Sequence, residues 1–248
     1  MEASVDIRVR GLVKRYRNSA GNAVDGIDLD VRRGEFLGLL GPNGAGKTSL
    51  ISIITGVRRA TDGSVQVQGH DIAAHPDKVH ACIGLVPQDI ALYEMLTARE
   101  NLAFFGRLHG LDGKTFRERS ERLLERAGLS ARADELIGQW SGGMQRRLNL
   151  ITALLHEPAI LFLDEPTVGI DVQSRAAIWT LLEEINKAGT TIVYTSHHLE
   201  EAERLCSRVV IVDHGRVVSE VERPGAQGGA ARLEEIFLGL TGTEYRDR

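Results

Sequence analysis

The 248-residue sequence lacks the features that mark secreted or membrane-spanning proteins. Its two cysteines, Cys82 and Cys206, lie far apart and match no metal-ligand spacing, so they predict buried free thiols in a reducing compartment rather than a disulfide framework. No segment approaches the roughly 20 consecutive apolar residues that a membrane-spanning helix needs. Residues 1–6 contain no apolar stretch of the kind found in signal peptides. We therefore expect a chain that does not cross a bilayer on its own.

An excess of basic charge is also missing. Lysine and arginine together number 30 and aspartate and glutamate 34, so the formal net charge is −4. This balance does not favour electrostatic binding to nucleic acid, and we expect no nucleic-acid partner. The hydrophobic fraction of 42% is ordinary for a globular protein, and the length suits one large domain or a core with an inserted subdomain.

A glycine-rich loop at residues 41–48 follows the pattern G-x-x-x-x-G-K-[ST] without deviation. It lies between the apolar run 36–40, predicted to be a buried strand, and residues 49–57, which have helical spacing. This context predicts a phosphate-binding loop for a nucleoside triphosphate and disfavours a mere glycine turn with a stray lysine. The predicted ligand-binding residues are Gly41, Pro42, Asn43, Gly44, Ala45, Gly46, Lys47, Thr48 and Ser49.

The chemistry of this loop explains its residue types. Glycines allow backbone N–H groups to curl around an anion, and the helix N-terminus adds its dipole. Lys47 brings a cation to the β- and γ-phosphates, and the hydroxyl of Thr48 can ligate Mg²⁺. The loop therefore predicts a triphosphate ligand and leaves open how the energy is used.

A second motif is the apolar run 160–163 followed by Asp164 and Glu165. A buried strand that ends in carboxylates is the usual partner of a phosphate loop. Asp164 is expected beside that loop, where it can hold Mg²⁺ through water. Glu165 is one residue further along, so it is expected to point toward the γ-phosphate, where it can orient or deprotonate the attacking water. The alternative is a solvated strand edge.

The order of the elements predicts an α/β fold with three parts. Alternating patterns at residues 5–13, 24–31 and 65–69 predict an antiparallel β portion. Between residues 97 and 156 the strand signals vanish, and helices are predicted at 98–108, 114–127 and 143–155. We interpret residues 89–157 as a helical subdomain inserted into a domain that covers 1–223. Residues 224–231 are predicted to be a linker before a short amphipathic helix at 232–240, within a C-terminal segment 224–248.

The segment Trp140-Ser141-Gly142-Gly143-Met144 decides between the uses of a phosphate loop. Its Ser-Gly-Gly core resembles the L-S-G-G-Q signature of ABC-type ATPases, although Trp140 replaces the leucine and Met144 the glutamine. The resemblance extends over nearly the whole chain, with the motifs in the family's order. It implies a P-loop NTPase (RecA-like) core with an antiparallel β subdomain and an inserted helical subdomain.

The resemblance also implies roles for single residues. Tyr16 lies where the family stacks an aromatic ring on adenine, and Gln88 lies at the Q-loop position, where it contacts Mg²⁺ or water and joins the site to the helical subdomain. Asp171 resembles the D-loop aspartate that reaches across a dimer. His197 resembles the switch histidine that senses the γ-phosphate, and it is preferred over His198, which is expected to start the next helix at the surface. Glu165, His197 and Gln88 are thus the expected catalytic residues.

The family's assembly follows from the same resemblance. Two copies, or this chain and a paralogue, are expected to dimerise head to tail around two ATP molecules. Ser141, Gly142 and Gly143 of one copy would then complete the other copy's site with a helix N-terminus. A separate integral membrane permease is the expected partner, at the cytoplasmic face of the membrane. The signature's form resembles the drug, antibiotic, polysaccharide or lipid exporter branch. An importer subunit and a soluble non-transport ABC ATPase are the alternatives.

An apolar-rich stretch directly after Gln88 is the predicted contact for that permease. The candidate side chains are Leu92, Tyr93, Met95, Phe104 and Phe105. The alternative is that these side chains fill the core of the helical subdomain.

Overall fold

A computed structural model describes residues 4–17, 19–222, 224 and 229–241. Among these residues the chain forms two β-sheets and eight α-helices. The strands are β1 Val5–Arg15, β2 Asn22–Arg32, β3 Phe36–Leu40, β4 Asp62–Val67, β5 His70–Asp71, β6 Ile83–Val86, β7 Ile160–Asp164, β8 Thr191–Ser196, β9 Arg208–Asp213 and β10 Arg216–Glu222. The helices are α1 Lys47–Ile54, α2 Pro76–Cys82, α3 Ala98–Leu108, α4 Gly113–Arg126, α5 Gly142–Thr152, α6 Val172–Lys187, α7 Leu199–Leu205 and α8 Gly229–Thr241.

The larger sheet has six strands in the order β10-β9-β3-β8-β7-β6. Strands β9, β3, β8, β7 and β6 are parallel, and β10 pairs antiparallel with β9. Every residue of β3 and β7 is buried, as is typical of parallel strands covered on both faces. The carboxyl ends of β3, β6, β7 and β8 meet at one edge, so the loops that begin at residues 41, 87, 165 and 197 converge there.

The smaller sheet is antiparallel, with the order β2-β1-β4-β5, and confirms the predicted antiparallel portion. In β1, Ile7 and Val9 are buried while Arg8 and Arg10 are exposed, so one face packs inward. That face joins α1 and one face of the larger sheet in a single apolar cluster. The smaller sheet therefore holds α1, and with it the glycine loop, against the core.

Between β6 and β7 the described chain is helical, apart from turns and two short 3₁₀ turns. Helix α3 begins at a capping box in which the Thr97 hydroxyl accepts from the backbone of Glu100 and the Glu100 carboxylate accepts from the backbone of Thr97. Leu102, Leu124 and Leu148, one from each of α3, α4 and α5, are fully buried in the second apolar cluster. The helices lie within a few residues of the predicted ranges, and the division of the chain into independent units remains a prediction.

Two differences from the predicted elements have local causes. Helix α2 was not predicted, because it has seven residues with only Val79 buried and thus shows no periodicity. Helix α8 begins at Gly229 rather than Arg232, so residues 229–231 of the predicted linker 224–231 are helical, and residues 225–228 lie outside the described ranges. Leu233 and Phe237 bury α8 against the core. Of the predicted thiols, Cys206 is buried but Cys82 is half-buried. No helix in the described ranges is long and apolar enough to span a membrane.

Candidate nucleotide site

The converging loops border a cleft of about 630 Å³ at the carboxyl edge of the larger sheet. Four strand ends contribute to its wall, because β3 leads to the glycine loop, β6 to Gln88, β7 to Glu165 and β8 to His197. The lining residues are Ala23, Asn43, Gly44, Ala45, Gly46, Lys47, Thr48, Ser49, Gln88, Glu165, Val168 and His197. The structure thus brings together most of the residues predicted from the glycine loop and all three predicted catalytic residues.

Two glycines fix the path of the loop through close backbone approach. Gly46 has φ +108°, and a Cβ there would lie 2.2 Å from the carbonyl oxygen of Ala23. A Cβ at Gly41 would lie 2.1 Å from the carbonyl oxygen of Val212. Any other residue would push the loop away from β2 or β9. The glycines therefore serve packing as well as access of the backbone to an anion.

Lys47 is the cation of the cleft. It begins α1, is 5% exposed, and its Nζ donates to the carbonyl oxygens of Gly41 at 2.7 Å and Pro42 at 3.2 Å. Burial lowers the pKa of Lys47, while the nearby carboxylates of Glu165 and Asp164 oppose that shift. A buried ammonium held by its own loop is ready to exchange carbonyl partners for phosphate oxygens.

Glu165 contacts three of the predicted site residues through its carboxylate. Its Oε1 lies 3.7 Å from Lys47 Nζ and 3.5 Å from His197 Nδ1, and its Oε2 accepts from Gln88 Nε2 at 3.3 Å. Glu165 has φ +47°, a left-handed conformation that costs energy for a non-glycine residue. Its backbone N–H donates to Thr195 Oγ1 at 2.8 Å, which helps to hold this strained turn. The turn directs the carboxylate into the cleft.

Four predicted residues lie beside the cleft rather than in its wall: Gly41 and Pro42 of the glycine loop, Asp164 and Tyr16. Asp164 is the buried last residue of β7, and its Oδ1 accepts from Thr195 Oγ1 at 2.7 Å. Tyr16 is half-buried, and its hydroxyl lies 3.1 Å from Ser49 Oγ. The cationic groups of Lys14 and Arg58 lie 5.3 and 5.5 Å from the Tyr16 ring centroid. Tyr16 is therefore attached to the end of the glycine loop.

The remaining predicted residues form a second group outside the cleft wall. Ser141 caps α5, where its Oγ accepts from the backbone of Met144 at 3.3 Å, and Asp171 caps α6. The two caps lie together, because a Cβ at Gly143 would lie 2.1 Å from Ser174 Oγ. Ser141, Gly142 and Asp171 are exposed.

The two departures from the family's signature serve packing. Trp140 is buried in the apolar cluster that fills the helical part of the chain, and Met144 packs against that cluster from its edge. Both residues are direct neighbours in sequence of the Ser-Gly-Gly turn.

Some residues of the site carry no motif. Ala23 and Val168 line the cleft as small or apolar side chains, and such positions give no chemical signal in a sequence. Glu201 is almost fully buried, and its carboxylate accepts from the hydroxyls of Thr167, Tyr194 and Ser196. In the sequence, Glu201 is indistinguishable from its neighbour Glu200, which is exposed.

A comparison with protein families identifies the chain. The model of the family described as ABC transporter matches residues 24–168, which include the glycine loop, Gln88, the Ser-Gly-Gly turn and Glu165. The chain belongs to the ABC transporter family. The family prediction and the predicted P-loop NTPase fold are confirmed, and the domain that this ABC protein carries binds and hydrolyses ATP.

Individual relatives agree with this assignment. The daunorubicin resistance ATP-binding protein DrrA3 of Streptomyces coeruleorubidus is 42% identical over 95% of this chain and 74% of its own length. The Nod factor export ATP-binding protein I of Ralstonia nicotianae is 42% identical over 86% of this chain and 66% of its own. A solved dimeric ATP-binding cassette in a post-hydrolysis state, bound to ADP and Pi, is 27% identical, with a TM-score of 0.80 over 88% of this chain and 98% of that one. Several curated relatives are longer, and this ABC protein spans as little as 63% of their length.

Proposed function

We propose that this chain is the ATP-hydrolysing subunit of an ABC exporter. Two copies, or this chain and a paralogue, associate head to tail, close on two ATP molecules and drive a separate integral membrane permease at the cytoplasmic face of the membrane. The division of the site into two groups carries this proposal. The cleft holds the phosphate-binding and catalytic side chains, whereas Ser141, Gly142 and Asp171 are exposed and, with the buried Gly143, lie outside its wall. A solved relative of the same fold is a dimer.

In the proposed site, one copy binds most of the nucleotide. The glycine loop and Lys47 surround the phosphates, and Tyr16 stacks on adenine beside Ser49. The second copy adds donors from the opposite side of the γ-phosphate. The Ser141 Oγ accepts from its own helix, so its hydroxyl proton stays available for a phosphate oxygen. The first-turn N–H groups of α5 face the same direction as the helix dipole.

Mg²⁺ is the proposed metal. The residues that would hold it are Thr48, Gln88 and Asp164, and their hydroxyl, amide and carboxylate oxygens are the hard donors that this ion prefers. When bound, the ion neutralises charge on the β- and γ-phosphate oxygens. Asp164 is fixed in orientation by Thr195, which suits a residue that acts through water.

Hydrolysis then depends on Glu165. Its carboxylate accepts a proton from water, the water oxygen attacks the γ-phosphorus, and the bond to the β–γ bridging oxygen breaks to give ADP and phosphate. Gln88 Nε2 donates to the carboxylate at 3.3 Å, and His197 Nδ1 lies 3.5 Å from it. Lys47 stabilises negative charge on the phosphates as that bond breaks. Once the γ-phosphate has left, the contacts across the two copies weaken and the dimer opens.

The proposed permease contact is the apolar stretch after Gln88. Tyr93 and Phe104 are exposed although their rings touch edge to face at 4.7 Å between centroids, and Met95 is 82% exposed. Leu92 and Phe105 are half-buried and pack against the helical core. Leu92 and Phe105 therefore hold the stretch on the helical core, while Tyr93, Met95 and Phe104 form an exposed apolar surface suited to a protein partner.

The direction of transport is proposed from relatives. One relative's name includes Nod factor export and another's includes daunorubicin resistance. A Met95→Cys variant, combined with Cys82→Ser, should crosslink to the permease, whereas a cysteine at the exposed Val218 on β10 should not. Crosslinks at residue 218 but none at 95 would move the contact away from the aromatic cluster.

The deciding experiment for the ATPase dimer is Glu165→Gln. This variant should bind ATP, hydrolyse it at least about 100-fold more slowly, and elute as a dimer with ATP in size-exclusion chromatography. Glu200→Gln removes an exposed carboxylate nearby and should keep wild-type turnover and association. Wild-type turnover in Glu165→Gln would remove Glu165 from catalysis. An ATP-bound Glu165→Gln that stays monomeric would contradict the dimer.

A further inference from the structure

Two side chains of helix α5 form hydrogen bonds with the loop that carries Gln88. The guanidinium of Arg146 donates through Nη1 to the carbonyl oxygen of Gln88. One turn later, Asn149 Oδ1 accepts from the backbone N–H of Ala91 at 3.3 Å. Arg146 is 8% exposed and Asn149 is 3% exposed, so water competes little for these bonds. The two bonds fix both ends of the segment 88–91 on one face of α5.

The same helix begins at the Ser-Gly-Gly turn. Ser141 caps α5, and Arg146 lies little more than one turn beyond that cap. On the other side of the contact, the Gln88 side chain donates to Glu165 at 3.3 Å. Continuous contacts therefore lead from the Ser141–Gly143 turn along α5, through Arg146 and the Gln88 backbone, to the carboxylate in the cleft.

Packing alone does not account for Arg146. Its Nε is buried and has no hydrogen-bond partner among the described residues. Burial lowers the pKa of the guanidinium, and the charge of Asp89 opposes that shift. An apolar side chain would fill this position without the cost of desolvating a charge. The bond to a single backbone carbonyl is what an apolar side chain cannot supply.

We propose that Arg146, assisted by Asn149, is a positioning residue that makes the Gln88 loop and α5 move as one body. A shift of Gln88 on nucleotide binding then reorients the Ser-Gly-Gly turn that faces the second copy. The inference rests on the proposed ATP-dependent dimer. It adds the contact that, within one copy, links the nucleotide cleft to the Ser-Gly-Gly turn facing the second copy.

Arg147 provides a matched control. It is the next residue of α5, and its guanidinium also donates to backbone carbonyls, those of Ala127 at 2.6 Å and Gly143 at 3.4 Å. Neither carbonyl belongs to the Gln88 loop. Arg146→Met and Arg147→Met therefore remove the same charge from the same helix, and Arg146→Met alone releases the loop.

The first measurement is the ATP concentration that half-saturates dimer formation in the Glu165→Gln background. Arg146→Met should raise it about tenfold, the size expected for losing one buried charged hydrogen bond, and Arg146→Lys should restore part of the loss. Arg147→Met should stay within about twofold of the parent. ATP affinity at protein concentrations too low for dimers should be unchanged in all three. Equal effects of Arg146→Met and Arg147→Met would overturn the inference.

The second measurement is amide hydrogen exchange on monomers of the same variants. ATP should protect the segment 88–91 and the first turn of α5 together, and in Arg146→Met it should protect the segment 88–91 alone. Undiminished protection of α5 in Arg146→Met would overturn the inference even if no dimer forms. Failure of Glu165→Gln to dimerise with ATP would instead refute the proposed function, so the two failures are distinguishable.

Discussion

Glu201 accepts a hydrogen bond from Ser196 Oγ at 2.6 Å, and Ser196 is the residue directly before His197. The same carboxylate accepts from Thr167 Oγ1 at 2.6 Å and from the Tyr194 hydroxyl at 2.8 Å. Glu201 is 1% exposed. One buried carboxylate on α7 thus fixes both the strand end that leads to His197 and the loop that follows Glu165. Burial and the charge of Glu201 raise the pKa of Tyr194 well above its ordinary value, because both disfavour the phenolate.

Replacing Glu201 should therefore cost stability. Glu201→Ala leaves three buried hydroxyls without their acceptor, and we expect the free energy of unfolding to fall by about 3 kcal/mol in urea denaturation. Tyr194→Phe removes one donor and keeps the carboxylate, so its loss should be nearer about 1 kcal/mol. Glu200→Ala, at the exposed neighbour, should change the free energy by less than about 0.5 kcal/mol. If Glu201→Ala proved as stable as Glu200→Ala, the network would have no role in stability.

The contact between the caps of α5 and α6 gives a second prediction. A Cβ at Gly143 would lie 2.1 Å from Ser174 Oγ and 2.5 Å from Ser174 Cβ, whereas a Cβ at Gly142 would meet nothing within 4 Å. Gly143→Ala should lower the free energy of unfolding by about 1–3 kcal/mol through overpacking. Gly142→Ala should be neutral or slightly stabilising, because alanine favours a helix over glycine.

A compensating substitution tests the cause of that loss. Ser174→Gly removes the atoms that an alanine at 143 would strike, so the double variant Gly143→Ala/Ser174→Gly should recover stability relative to the sum of the two single variants. The double-mutant cycle, measured by thermal or urea unfolding, should give a coupling of about 1 kcal/mol or more. Additive effects would mean that the steric contact does not determine the loss.

The sequence predicted those parts of the site that depend on residue type at fixed local spacing. The glycine loop, the Asp164–Glu165 pair and the Ser-Gly-Gly turn all belong to this class. The antiparallel sheet was predicted as well, because β1 alternates buried and exposed residues. Periodicity missed α2, which has a single buried residue.

Contacts between residues distant in sequence could not be predicted in the same way. Arg146 and Gln88 are 58 positions apart. No local sequence pattern around either residue indicates that Arg146 donates to the backbone carbonyl of Gln88. Glu201 and Glu200 have the same chemistry, and only the fold buries one of them. The left-handed turn at Glu165 is equally hidden, because a glutamate rarely adopts a positive φ.

His156 gives a prediction about pH. Its ring stacks on that of His109, with 3.8 Å between centroids, and its Nε2 lies 2.8 Å from the carbonyl oxygen of Ile83. Burial lowers the pKa of His156, as do the nearby His109 and Arg119, while the bond to Ile83 opposes them. The unfolded chain therefore binds a proton at this residue at a higher pH than the native protein does. The contribution of His156 to stability is fully present above its unfolded pKa, roughly 6.5, and is lost as the pH falls below that value toward the lower native pKa.

His156→Gln tests this assignment, because glutamine can still donate to the Ile83 carbonyl but does not titrate. The free energy of unfolding, measured by urea denaturation from pH 7.5 to pH 5.5, should fall less steeply in His156→Gln than in the wild type. Above pH 7 the two curves should run parallel, since His156 is neutral in both the native and the unfolded states there. A slope as steep in His156→Gln as in the wild type would assign the acid sensitivity to other groups. His156, Phe105 and His109 line a second cleft, separate from the nucleotide cleft, so such a change in slope would place an acid-sensitive group beside the proposed permease contact.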